Sequence, residues 1–311
     1  MIYGSATVFT LLLVVTLSIK GSTGLQWIVS GLTVGSIYAL VAMGFSVIYS
    51  STRVINFAQG EFSMLGGMLM YTFASKAGVP VPLAFILSVI IVTLLGAGFE
   101  RLAVHPLRYS SVITVIIVTI GFSIFLRAVA KWIWGSDPVK IASFSGDKPI
   151  RFLGAALVPQ SFWVFGFTAL AVLLVFLFFN RTIVGKGMTA AAANPDAASL
   201  VGISTSTSSL IAWTIAAALG AAAGIIIAPI KFAAYSVGTM LGLKGFAAAI
   251  LGGLGSAPGA VVGGLILGVL ETIAAGVFPS GYKDAVAFLI LILVLLAWPQ
   301  GLLGRRQDVM A

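Results

Sequence analysis

An all-α, polytopic membrane protein is the fold class the sequence predicts, and three observations predict it. Only 8% of the 311 residues are charged, against about 25% in a water-soluble domain. Hydrophobic residues make up 60% of the chain and the mean hydropathy is +1.15. Uncharged runs cover residues 1–19, 21–52, 77–99, 109–126, 161–179, 206–230, 245–270 and 285–304, and a helix needs ~20 apolar residues to cross a bilayer. Eight to ten membrane segments follow, some of them broken or re-entrant. No linker is long or polar enough to divide them, so residues 1–311 form a single transmembrane domain.

The net charge of +9 does not point to nucleic acid, because the Lys and Arg residues lie singly between the apolar runs with no basic stripe. Cysteine is absent, which excludes disulfides and thiolate metal sites. His105 is the only histidine, so no histidine-based metal site can be assembled. Met1 to Ile19 lacks a positive n-region and a small-residue cleavage site and reads as an uncleaved first span.

Residues 25–49 form the next span, with Gly31 and Gly35 in the GxxxG spacing that lets helix backbones approach closely. In the following stretch Asn56, Gln59 and Glu61 interrupt apolar sequence beside Phe57, Gly60, Gly66 and Gly67. Irregular backbone at membrane depth survives only where it is buried in protein or lines a cavity. Asn56, Phe57, Gln59, Gly60 and Glu61 are therefore the candidate lining of a substrate pathway, in the manner of the broken helices of transporters. Residues 79–99 cross again and end in Glu100-Arg101, where Glu100 reads as a span-end charge. Residues 110–134 follow, with Arg127 one turn from Lys131 near the span end, where snorkelling to the headgroups is expected.

Turn residues punctuate 135–159, the longest extramembrane loop, which can form a small hairpin on one membrane face. After the Phe-rich span 161–179 comes Gly185 to Ser204. Within it Asn194 suits an N-cap, Pro195 the first helical position, Asp196 the positive end of the helix dipole, and Gly202 the residue past the helix end. Residues 195–201 read as a capped two-turn helix on the membrane face opposite the 135–159 loop, where a partner protein could grip it. Residues 207–228 are a small-residue span with Gly220 and Gly224 in GxxxG spacing. In 244–272, Gly252, Gly253, Gly255, Pro258 and Gly259 suggest a Ser-Ala-Pro-Gly break between two helical pieces, re-entrant or tightly packed. Glu271 on the second piece needs a cation, with Arg127 and Lys283 as candidates. Residues 285–300 form the last span and Arg305-Arg306 anchor the tail.

No phosphate-cradling GxxxxGK[ST], HExxH or GxSxG occurs, so the chain itself has no site for ATP hydrolysis. A passive channel or secondary transporter for a small polar solute such as urea or an amide is the rival reading.

Four stretches carry a resemblance: GLTVGSIYALVAMG at 31–44, INFAQGEFSMLGG at 55–67, NPDAASLVGIS at 194–204 and KGFAAAILGGLGSAPGAVVGGLILGVLE at 244–271. In order and spacing they resemble the LivH-like permeases of branched-chain (Leu/Ile/Val-type) amino acid ABC importers. The resemblance implies an importer-type permease subunit of the bacterial cytoplasmic (inner) membrane. It would work with two cytoplasmic ATPase subunits carrying ATP and Mg, a second, different permease, an external substrate-binding protein and membrane lipid. It implies no cofactor in this chain, no enzymatic activity of its own and no nucleic acid. Residues 185–204 become the cytoplasmic coupling loop, with Asn194, Pro195, Asp196, Ser199, Leu200 and Gly202 at the ATPase, and 135–159 becomes external. Relatives often carry a basic residue where Thr189 stands, and the first span is extra relative to shorter members.

Overall fold

The computed structural model describes residues 22–146, 148–152, 155–277, isolated positions between 279 and 296, and 300–304. The expected spans at 5–19 and over most of 285–300, with Lys283 and Arg305-Arg306, lie outside the described residues. Helix α1 (Ser22–Thr52) is followed by α2 (Gln59–Met70), which runs on as a π-helical turn Tyr71–Lys76. Then come α3 (Val81–Phe99), continued by tighter and wider turns to Leu107, and α4 (Val112–Trp134). A hairpin of β1 (Ile150–Phe152) and β2 (Ala155–Leu157) precedes α5 (Gln160–Arg181). Two short helices, α6 (Ile183–Ala193) and α7 (Pro195–Leu200), lead into α8 (Thr205–Ile227), α9 (Val237–Gly252) and α10 (Ala257–Val277). Six of these are long and apolar enough to cross a membrane, and α9 is shorter.

Helix α1 is the axis of the bundle. It packs on α10, α8, α9 and α5, and from Ile37 to Ile48 nearly every side chain is buried. Most other helices are buried along one stripe and present Leu, Ile and Phe outward, as Leu94, Ile117, Phe125 and Leu174 do. An apolar outer surface is what lipid requires, so the buried stripe is set by side-chain size and polarity rather than by hydrophobicity alone. The α1–α10 contact rests on glycine. A Cβ at Gly31 would lie 2.6 Å from the Val269 Cα, and one at Gly35 would lie 2.8 Å from the Leu265 Cα. Gly264 and Gly268 face back onto α1 at Ala39 and Gly35, so the expected GxxxG spacing is a true contact seam. Gly220 and Gly224 of α8 meet Phe62 and Ser63 of α2 in the same way.

The expected hairpin is present. Gln26 at the start of α1 holds its second strand twice: Gln26 Nε2 donates to Ala156 O (3.0 Å) and Ala156 N donates to Gln26 Oε1 (2.6 Å). The capped helix α7 lies at the other end of α1. The break in the glycine-rich region falls elsewhere than expected. It occupies 253–256, where Gly253 and Gly255 take positive φ (105° and 86°), and Pro258 sits in the first turn of α10. A proline there gives up an N–H that has no helical partner in any case. Backbone N–H groups of Leu302 and Leu303 donate to Leu251 O and Gly252 O (2.8 and 2.9 Å), satisfying the end of α9.

Gly268→Val should therefore drive α1 from α10, an overpacking worth roughly 1–3 kcal/mol. The melting temperature in detergent should fall, whereas Gly121→Val, with nothing within 4 Å of its position, should leave it unchanged.

Candidate functional site

The residues singled out between α1 and α2 come together at the centre of the bundle. Helix α1 ends at Thr52, and Arg53 just after it is the only non-glycine with positive φ (56°) among the described residues. The chain then runs irregularly to Ala58 before α2 begins. Asn56 Oδ1 accepts from Ala58 N (2.9 Å), and Phe57 N donates to Thr119 Oγ1 (3.2 Å) on α4. Gln59 Nε2 donates to Ala216 O (2.8 Å) on α8. Gly60 lies against Gly238 and Gly242, so α2 and α9 touch backbone to backbone. The Phe57 ring packs on Phe246 with centroids 5.5 Å apart. Asn56 and Gln59 are fully buried and Glu61 is 1% exposed. In this conformation the cluster is walled by α4, α8 and α9 and satisfies the rule for irregular backbone by burial in protein.

Glu61 stands in the first turn of α2, where the helix dipole favours a negative charge. Its Oε1 accepts from Ser123 Oγ (3.0 Å) and Thr239 Oγ1 (3.4 Å), and Arg127 Nε lies 3.3 Å away. Arg127 thus corrects the snorkelling expectation. With its side chain one-third exposed, it turns inward to the carboxylate of a helix distant in sequence. Lys131, one turn on, lies over the Tyr235 ring at 5.5 Å.

A second ion pair corrects the expected partners of Glu271. Lys244 Nζ donates to Glu271 Oε1 (2.7 Å) and Tyr38 OH donates to Glu271 Oε2 (2.6 Å). All three are almost wholly buried and tie α9, α10 and α1 together. Sequence reasoning missed Tyr38 and Lys244. The available signal was Lys244 itself, a lone cation at the head of a 26-residue uncharged run, where an intramembrane charge implies a partner. Glu100 is a further correction. It is fully buried in the π-helical turn after α3, and Arg101 bonds instead to Ser206 Oγ (3.2 Å).

Of the glycine-rich residues, Gly252 and Gly259 abut each other, and Gly253 lies against Gly304. Gly255 and Pro258 line a cavity of about 840 Å³ at the same end as α7, together with Arg53 and Lys186.

The expected short helix is built as its residues dictate. Asn194 caps it, accepting from Ala197 N (3.0 Å), Pro195 opens it and Asp196 sits in its first turn. Ser199 Oγ donates to Asp196 O (2.7 Å). Gly202 takes φ 83°, and Gly202 N and Ile203 N close the end onto Ser199 O and Ala198 O (3.0 and 2.9 Å), a C-cap that favours glycine. Ala198 anchors α7 inward while Leu200 and Val201 are 87% and 75% exposed. Helix α6 is an addition to the sequence reading, which takes 185–204 as a coupling loop carrying one short helix. It is capped by Thr182, which accepts from Gly185 N (3.0 Å), and Gly185 is needed where the backbone passes Phe178 and Phe179. Arg53 Nε donates to Ala192 O (3.3 Å) at the end of α6, so the break after α1 and the surface helices are joined directly.

The family model described as "branched-chain amino acid transport system / permease component" matches residues 27–295. The high-affinity branched-chain amino acid transport system permease protein LivH of Salmonella typhimurium is 37% identical over 298 residues, covering 91% of this chain and 96% of its own. BraD of Pseudomonas aeruginosa, a permease protein of the same kind of system, is 36% identical over 306 residues with the same coverage. A probable LivH of Methanocaldococcus jannaschii is 28% identical over 292 residues. Among solved structures, PsaBC from Streptococcus pneumoniae in complex with Fab aligns with a TM-score of 0.48 at 13% identity, covering 93% of this chain and 96% of that one.

Lys244→Met alone strands a buried carboxylate and should cost about 3–5 kcal/mol, read as a large fall in melting temperature. Lys244→Met with Glu271→Leu should recover most of it. Equal melting of the single and double variants would show that the pair is not electrostatically coupled.

Proposed function

We propose, from the premise that this chain belongs to the branched-chain amino acid transport permease family, that it is the membrane-spanning permease subunit of an ATP-binding-cassette importer carrying branched-chain amino acids into the cytoplasm. The observation that carries this reading is the 36–37% identity to LivH and BraD over 91% of the chain. Two cytoplasmic ATPase subunits, a second permease and an external binding protein complete the machine. Helix α7 supports the ATPase assignment. It is capped at both ends, anchored by Ala198, and turns Leu200 and Val201 outward.

Closure of the ATPases on ATP pushes α7. Helix α6 carries the push to Arg53 through Ala192, and so to the broken segment at the centre of the bundle. There the Glu61–Arg127 pair and the glycine contacts of Gly60 allow α2 to shift against α4 and α9. A push changes the equilibrium only if the two states meet the ATPase differently, and a rigid capped helix transmits that difference better than a floppy loop.

The first test is to tag the chain in its native membrane and identify what co-purifies. ATPase subunits and a second permease are expected, and recovery of the chain alone across several mild detergents would favour a channel or secondary transporter. The orientation is tested separately: the chain has no cysteine, so Ser199→Cys should be labelled by an impermeant maleimide only from the cytoplasmic side. Asn194→Ala with Asp196→Ala removes a cap worth ~1 kcal/mol. It should lower substrate-stimulated ATPase activity and leucine uptake while assembly persists. Glu61→Gln should impair uptake more than Asp137→Asn, which alters an exposed external charge.

A further inference from the structure

Two cavities share one wall. The first, of about 840 Å³, lies beside α6 and is lined by Arg53, Asn180, Lys186, Ser50 and Ser256, with no acidic residue among the described residues that line it. The second, of about 820 Å³, is an apolar groove between α1, α5 and α10, lined by Met43, Val172, Leu173, Val261 and Leu265 among others. Phe176, Ala257 and Pro258 border both, so they form one trough with a cationic head and an apolar body. Arg53, Asn180 and Lys186 are exposed, and Leu173 and Phe176 are half exposed.

We propose that this trough is a binding site for one anionic phospholipid of the cytoplasmic leaflet, the phosphate at Arg53 and Lys186 and an acyl chain along α5 and α10. The placement in that leaflet rests on the orientation proposed above. Length supports it. From Asn180 to Phe165 the groove follows 15 residues of α5, about 22 Å at ~1.5 Å per residue, close to half of the ~40–45 Å of a bilayer with its headgroups. A free amino acid would fill only a fraction of that. Charge supports it too. Basic pockets between spans on the cytoplasmic side select anionic headgroups, whereas a second copy of a chain carrying +9 is poorly matched to a cationic vestibule. The site joins α1, α5, α6 and α10 next to the coupling helix, so an occupied trough braces α6 against the bundle.

The test is native mass spectrometry of the purified, delipidated transporter, titrated with phosphatidylglycerol or phosphatidylcholine. The wild type should retain one phosphatidylglycerol with about thirtyfold preference over phosphatidylcholine, the scale expected of two surface cations at ~1 kcal/mol each. Lys186→Gln, at an exposed position, should lose most of that preference with an unchanged lipid-free melting temperature. Leu173→Trp should reduce retention of both lipids by filling the groove. Three results would overturn the proposal. They are full anionic preference in Lys186→Gln, displacement of the lipid by millimolar leucine (a trough belonging to the substrate pathway), and lipid on the isolated chain but not on the assembled transporter (a groove covered by the second permease). Lipid retention is read without transport, so failure of leucine uptake would count against the importer reading alone.

Discussion

A break in the backbone at membrane depth has no water to satisfy it, and much of this architecture follows from that constraint. Between Thr52 and Gln59 the helical hydrogen-bond ladder stops, and the freed groups must find partners inside the protein. Two of them find side-chain oxygens: Phe57 N donates to Thr119 Oγ1 on α4 and Ala58 N to Asn56 Oδ1, while the side chains of Gln59 and Arg53 reach out to Ala216 O on α8 and Ala192 O on α6. The bonds to Thr119, Ala216 and Ala192 each tie the break to a different helix. A segment wired in this way cannot shift without moving α4, α6 or α8, which makes it a suitable place for a surface push to be felt in the interior.

Packing and charge divide the labour around it. In lipid, apolar side chains gain nothing by choosing a neighbouring helix over an acyl chain, so association rests on close backbone approach and polar pairs. Glycine supplies the approach. Gly31, Gly35, Gly264 and Gly268 join α1 to α10, and Gly60, Gly238 and Gly242 join α2 to α9. Two ion pairs, each built on a buried carboxylate, then specify which helices meet. Glu61 with Arg127 binds α2 to α4, and Lys244 with Glu271 and Tyr38 binds α9, α10 and α1. Helix α9 takes part in both, through Thr239 and Lys244. It is also among the shortest of the apolar helices, about 24 Å by its 16 residues.

The membrane-surface helices show how little sequence is needed when the chemistry is local. Thr182, Asn194 and Ser204 each cap the helix that follows by accepting from the backbone N–H three residues on. That spacing is what an N-cap requires. Helix α7 was legible for this reason, from Asn194 to Gly202. Helix α6, which carries Gly185 and Gly187, shows itself only in the tertiary structure. The fold gives at least Gly185 a packing purpose against Phe178 and Phe179.

The amino-acid sequence by itself determined the membrane class, the positions of the spans among the described residues, the GxxxG seams, the hairpin loop and the capped helix α7. All of these depend on composition, on a 3.6-residue period or on contacts within four residues, which a sequence displays directly. Only the tertiary structure decided that Arg127 faces Glu61, that Glu271 takes Lys244 and Tyr38, that Glu100 is buried, and that Arg53 reaches Ala192. Those partners lie 27 to 233 residues apart. In a chain where nearly every span is apolar, charge complementarity alone cannot choose among them. The choice is made by which helix backbones come close enough to touch.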